Sequence, residues 1–171
     1  CYKILETYKR ENMTEKNEFL INDHVLIYCK PDNLYNFWLK LENLPLFMDH
    51  IKEVKKKDEF NSTWTAKTPF GTTVSWDANI VEKVPNKKIS WHSLPESDVY
   101  NYGKVCFKHA IICEDPFPKY ATLVEVQLLY KPPLGIIGEK ISLFLGENPE
   151  QQLSIDLKSL KEGIENNKFV F

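Results

Sequence analysis

No stretch of about 18 consecutive apolar residues occurs in the 171-residue chain, so no segment reads as a membrane-spanning helix. Excess charge is missing too. The 22 Lys and Arg against 24 Asp and Glu leave a formal −2, without the basic surplus that a nucleic-acid partner attracts. The run Lys55-Lys56-Lys57 is followed at once by Asp58 and Glu59, and it reads as the solvated edge of a strand or turn. Cysteine is scarce: Cys1, Cys29, Cys106 and Cys113 have no framework spacing, and a chain of this size needs no disulfide staples. Free thiols in a reducing, cytoplasmic compartment are the expectation. The chain begins with Cys1 rather than Met, which leaves open a signal or anchor ahead of it. Glycine-rich phosphate loops are absent, since Gly135-Ile-Ile-Gly138 lacks the required lysine and hydroxyl. His24, His50 and His92 have no ligand partners at chelating spacing, and no cysteine sits in a nucleophile motif. Internal repeats, low-complexity tracts and linkers are also missing.

What is present is aromatic and alternating. Ten Phe, eight Tyr and four Trp make 13% of the chain, enough for either a thick core or a lined pocket. Bulky residues at every second position mark the runs from Val74 to Ile80 and from Ile89 to Ser93 as strands with one buried face. A first strand is expected from Phe19 to Cys29. A short helix follows, opened by Pro31 and carrying Leu34, Phe37, Trp38 and Leu41 on one stripe, then a second short helix over 44–50. Six further strands fall near 51–59, 61–68, 71–84, 87–94, 102–112 and 121–131.

Two hairpin registers can be derived. A three-residue loop at Pro69-Phe70-Gly71 pairs Ala66 with Val74 and Trp64 with Trp76. A four-residue loop around Pro85-Asn86 pairs Lys83 with Lys88, Ile80 with Trp91 and Ala78 with Ser93. Both keep the apolar residues on one face. Toward the C-terminus, Ile137, Ile141, Phe144 and Leu145 form one helical stripe, and Leu153, Leu157, Leu160 and Ile164 form another. Asn148-Pro149 between them should kink the helix or cap a new one. Residues 1–17 read as an arm or helix, and 18–168 as a single domain.

This order of elements resembles the START-like helix-grip superfamily, in its polyketide cyclase/dehydrase and coenzyme-Q-binding branch. The likeness is carried by Leu44-Pro-Leu-Phe-Met48 leading into Ile51, by Val74-Ser-Trp-Asp-Ala78 and by Ile89-Ser-Trp-His-Ser93. It continues through Asn101-Tyr-Gly-Lys-Val-Cys-Phe107 and ends in Gly146-Glu-Asn-Pro-Glu-Gln-Gln152. The resemblance implies an α+β helix-grip fold: a curved antiparallel sheet of six or seven strands around a long C-terminal helix, with an apolar tunnel between them. Such proteins bind lipids, quinones or polyketides, so the fold leaves the function open.

Under the derived registers, Trp64, Val74, Trp76, Ala78, Trp91, Ser93, Asn101, Val105, Phe107 and Val126 share the face turned to the helix, where Ile137, Ile141 and Phe144 meet them. The expected function is binding, transport or presentation of an apolar, lipid- or isoprenoid-like molecule, with no cofactor and no metal. One alternative is a cyclase or dehydrase acting on a polyketide or aromatic substrate, and another is a protein-interaction module with a closed pocket. Cys106, His109 and Cys113 look like half a metal site, but alternation puts residues 106 and 109 on opposite faces. Polar candidates for chemistry are Asp98, Tyr100, Asn101, Tyr102 and His109. Asn101 and Gly103 also suit a structural role, Asn making a turn and Gly allowing close approach. No acid/base pair is expected among Asp77, Asp98, Tyr100, Tyr102 and His109, and Asp77 should face solvent. A buried carboxylate or His beside a second titratable group would instead favour an enzyme.

Overall fold

The computed structural model describes residues 19–67, 71–97, 99–114, 117–131 and 148–169. Period-two alternation becomes seven strands: β1 (Phe19–Ile27), β2 (Ile51–Lys56), β3 (Asn61–Lys67), β4 (Thr73–Val84), β5 (Lys88–Ser93), β6 (Tyr100–Glu114) and β7 (Phe117–Lys131). They form one antiparallel sheet in the order β1-β7-β6-β5-β4-β3-β2. Helix α1 (Pro31–Leu39) starts where Pro31 fixes φ, and buries Leu34, Phe37 and Trp38. The long helix α2 (Pro149–Glu165) is capped as its sequence suggests, the Asn148 side chain accepting from the Gln151 N–H at 3.0 Å. This is the helix-grip architecture.

Two local expectations change. The second short helix is a 3-10 segment over Leu41–Leu46 rather than a helix over 44–50. Pro45 has no N–H to donate and disfavours α geometry at Leu44, so the chain tightens there. In the β4–β5 hairpin, Val84 rather than Lys83 pairs with Lys88. The Lys87 N–H donates to the Val84 carbonyl at 3.0 Å, and Asn86 takes φ 60°, the left-handed conformation a type II turn needs after proline. The loop is one residue shorter than expected, and a bulge at Val81 takes up the difference. Ile80 still pairs with Trp91 and Ala78 with Ser93. In the β3–β4 hairpin, Ala66 pairs with Val74 and Trp64 with Trp76, as derived; residues 68–70 of its turn lie outside the described residues.

The core lies between the inner face of the sheet and the helices, with Ile27, Leu44, Ile89, Val105, Leu157 and Leu160 fully buried. Helix α2 is fastened to β1 by polar contacts. The Lys161 ammonium donates to the Leu26 carbonyl at 2.8 Å, and the Tyr28 N–H donates to Glu165 Oε1 at 2.9 Å. Among the described residues β2 is an edge of the sheet, and its exposed lysines deter pairing with another sheet. Lys55 there meets Glu53, and Lys57 meets Asp77, so the basic run is a solvated edge.

Candidate functional site: a tryptophan-walled cleft

Small residues on the sheet make room for large ones. Ser62, Ala78 and Ser93 sit side by side across β3, β4 and β5, all buried. On either side of this low row stand indoles. Trp64 stacks on its cross-strand partner Trp76 at 5.9 Å between centroids, and on Trp91 at 6.2 Å with the planes 17° apart. Trp64 is therefore the middle plate of three, and its Nε1–H donates to the Ser62 hydroxyl at 3.0 Å. Trp91 in turn lies over Gly103, its pairing partner on β6. A Cβ added to Gly103 would stand 2.1 Å from Trp91 Cζ2, so only glycine admits the ring in this position. Gly103→Ala should push Trp91 out of the stack and destabilise the protein by about 1–3 kcal/mol. Urea unfolding and the near-UV circular dichroism of the indoles would measure both effects.

The indoles open into a cleft of about 50 Å³, lined by Met48, Ile51, Trp64, Trp76, Trp91, Val126, Leu128 and Leu153, with His50, Asn101 and Asp156 as its polar members. Of the residues expected to share this face, Trp64, Trp76, Trp91, Asn101 and Val126 reach the cleft. Ala78, Ser93, Val105 and Phe107 are buried in the core around it, and Val74 packs half-buried against that core. Ile137, Ile141 and Phe144 lie outside the described residues, as does Asp98.

The other polar candidates face elsewhere. Asp77 points outward, accepting from Lys57 at 2.8 Å and from the Thr63 hydroxyl at 2.6 Å, and these partners hold its carboxyl below the usual range. His109 stacks on Tyr120 at 5.7 Å near the end of the β6–β7 hairpin. Tyr102 alternates to the outer face, where burial raises its phenol. Asn101, by contrast, lines the cleft, and its backbone N–H donates to the Ser93 hydroxyl at 3.0 Å. Cys29 and Cys106 are free thiols, and among the described residues no three His, Cys, Asp or Glu side chains gather as a metal site.

Two further polar groups, which belong to no sequence motif, meet in the cleft. His50, in the turn before β2, brings Nδ1 to 3.4 Å from Asp156 Oδ2 on α2. Asp156 is almost wholly buried, its side chain 3% exposed against 14% for His50. Gln152, one turn earlier, donates Nε2–H to Asp156 Oδ1 at 2.9 Å. Desolvation by burial pushes the Asp156 carboxyl up to about 7, against a smaller lowering by the Gln152 bond; nearby Asp49 adds to the rise. Burial likewise pushes His50 down to about 4. Both side chains are thus driven toward their neutral forms, and the contact is a neutral pair near pH 6 rather than a salt bridge. Asp156 was visible in the sequence only as a polar residue three places after Leu153 on an otherwise apolar stripe.

The profile of a family described as "Polyketide cyclase / dehydrase and lipid transport" matches residues 28–158. The chain belongs to this family. A structural-genomics protein from Deinococcus radiodurans shares 33% identity with this family member, covering 87% of this chain and 99% of the other, with a TM-score of 0.67. The Zhui aromatase/cyclase from a Streptomyces species shares the fold at 10% identity and a TM-score of 0.59, covering 90% and 97%. A START superfamily protein from Mycobacterium smegmatis does so at 13% and 0.54, covering 86% and 95%. No curated protein matches the sequence. The polyketide cyclase/dehydrase and lipid transport family thus contains both catalysts and carriers by its own description, and the choice for this member rests on its cleft.

Proposed function

We propose that this protein binds a small, flat, apolar molecule in the cleft between the sheet and α2. The observation that carries this reading is the three-indole stack, whose Trp64, Trp76 and Trp91 all border the same opening. Such rings offer broad apolar faces to a planar guest. The family's lipid-transport side and the absence of Lys and Arg among the described residues that line the cleft support an uncharged guest. An apolar cavity of about 150 Å³ accepts benzene. The opening here is smaller, so a ring enters as the adaptable Met48 side chain moves aside.

Titration with naphthalene or a short quinone should change the intrinsic fluorescence of the protein. The change should survive Trp38→Phe, because Trp38 packs on Phe47 and Phe107 away from the cleft. It should shrink in Trp76→Phe. No response to any apolar probe would sink the reading and favour an interaction module.

A second reading, a cyclase or dehydrase, draws support from the buried His50–Asp156 pair, since paired titratable groups in a dry cleft suit acid/base work. Turnover of a model poly-β-ketone, abolished by Asp156→Asn, would establish it.

A further inference from the structure

We infer that the His50–Asp156 couple is a recognition site for the carbonyl oxygen of a flat, neutral guest, held by one proton that the two side chains share. The inference rests on the reading that the cleft takes a small apolar molecule, and it names what the guest must carry. Three observations support it. The couple lies in the cleft itself, among the same lining residues as the three indoles, so a ring stacked on the indoles has its edge near these two side chains. Gln152 occupies Asp156 Oδ1 as a donor, which leaves Oδ2, the oxygen nearer His50, as the place for a proton on the carboxyl. Among the described residues no Lys or Arg lines the cleft, so an oxygen of the guest is met there by neutral donors, of which the proton of the couple is the one that titrates near neutral pH.

The charges around the couple are few. Asp49 lies near both members, from the same turn as His50; Lys67 on β3 lies near His50; Gln152 faces Asp156 from α2. With burial raising Asp156 to about 7 and lowering His50 to about 4, the couple carries one titrating proton between these values, beside the N–H that a neutral imidazole always keeps, and loses it well above 7. Which of the two atoms holds it does not matter to the outcome. Below about pH 7 the couple donates to a carbonyl. Above that the Asp156 carboxylate presents lone pairs and a negative charge, which repel a carbonyl oxygen, and it draws the one N–H of the neutral His50 ring to itself. A carboxylate guest meets a carboxylate wherever both are ionised, so anions are rejected above about pH 7.

Three probes of nearly one shape separate these claims: acetophenone with C=O, α-methylstyrene with C=CH2 in its place, and benzoate with a carboxylate. Their association constants with the full chain are measured at pH 6 and pH 8.5. The ratio of the acetophenone to the α-methylstyrene constant should fall at least tenfold between the two, and benzoate should bind at least tenfold more weakly at pH 8.5 than at pH 6. In Asp156→Leu the ratio should be low and flat with pH. The pH series on the unaltered protein decides the matter even where that variant folds poorly. If the ratio is the same at both pH values, the couple is a structural contact and this inference alone falls, the cleft standing as a binding site. If neither neutral probe binds, the cleft reading and this inference fall together.

Discussion

Replacing Asp156 by asparagine is expected to stabilise the protein at pH 8, by about 2–4 kcal/mol, and to change little below pH 4. The sign follows from the direction of the shift. In the unfolded chain the carboxyl releases its proton near 3.8; buried beneath α2 it keeps the proton until about 7. The stability that goes with the protonated form is complete at low pH and is lost as pH rises through 7. Asparagine has the same shape, can still accept from Gln152, and never ionises. His50 acts in the opposite sense, since its depressed value costs stability as pH falls from 6.5 toward 4. Between pH 4 and 6.5 the two slopes oppose each other, and above 6.5 only that of Asp156 remains. Thermal melts of both proteins from pH 4 to 8 would show a gap opening with pH, reaching roughly 5–10 °C for a domain of this size. An asparagine variant less stable than the parent at pH 8 would mean that the couple is a stabilising ion pair after all.

The second large effect is at the centre of the indole stack. Trp64→Ala should lose about 3–5 kcal/mol, more than removal of either outer ring. Trp64 is buried, contacts both Trp76 and Trp91, and satisfies the buried Ser62 hydroxyl. Its removal therefore strips two ring contacts, worth about 0.5–1.5 kcal/mol each beyond burial, and one hydrogen bond. Urea denaturation would measure the loss. A cost below about 1.5 kcal/mol would show that the ring borders space already empty, the behaviour of a binding wall with little core function.

Much of the sheet could be read from the sequence because alternation is a local signal and the two hairpins cross-check each other. Trp64 opposite Trp76 follows from turn chemistry and one-face burial, whereas Ile80 opposite Trp91 follows from one-face burial alone, since the turn there is one residue shorter than its sequence suggests. The start of α2 was legible for the same reason, since Asn148 and Pro149 act on their immediate neighbours. The bulge at Val81 was not, because it appears only when turn and pairing are measured together. His50 and Asp156 were harder still. His50 sits in a turn with no periodicity to betray its depth. Asp156 shares its stripe with Leu153, Leu157 and Leu160, and a pattern that marks a face says nothing of what lies opposite. The contact joins the first third of the chain to the last, and only the folded sheet brings them together.

The bulge at Val81 separates two jobs that a plain hairpin would couple. In an unbroken ladder, gaining or losing one turn residue slides every later pair and turns Trp91 from the inner face to the outer. Here the extra residue is absorbed between Ile80 and Glu82, after the three pairs nearest the turn, and the inner half of the ladder keeps its own register. The tip around Pro85 and Asn86 is thereby free to drift in length and composition over evolutionary time, while the wall of the cleft inherits a fixed frame.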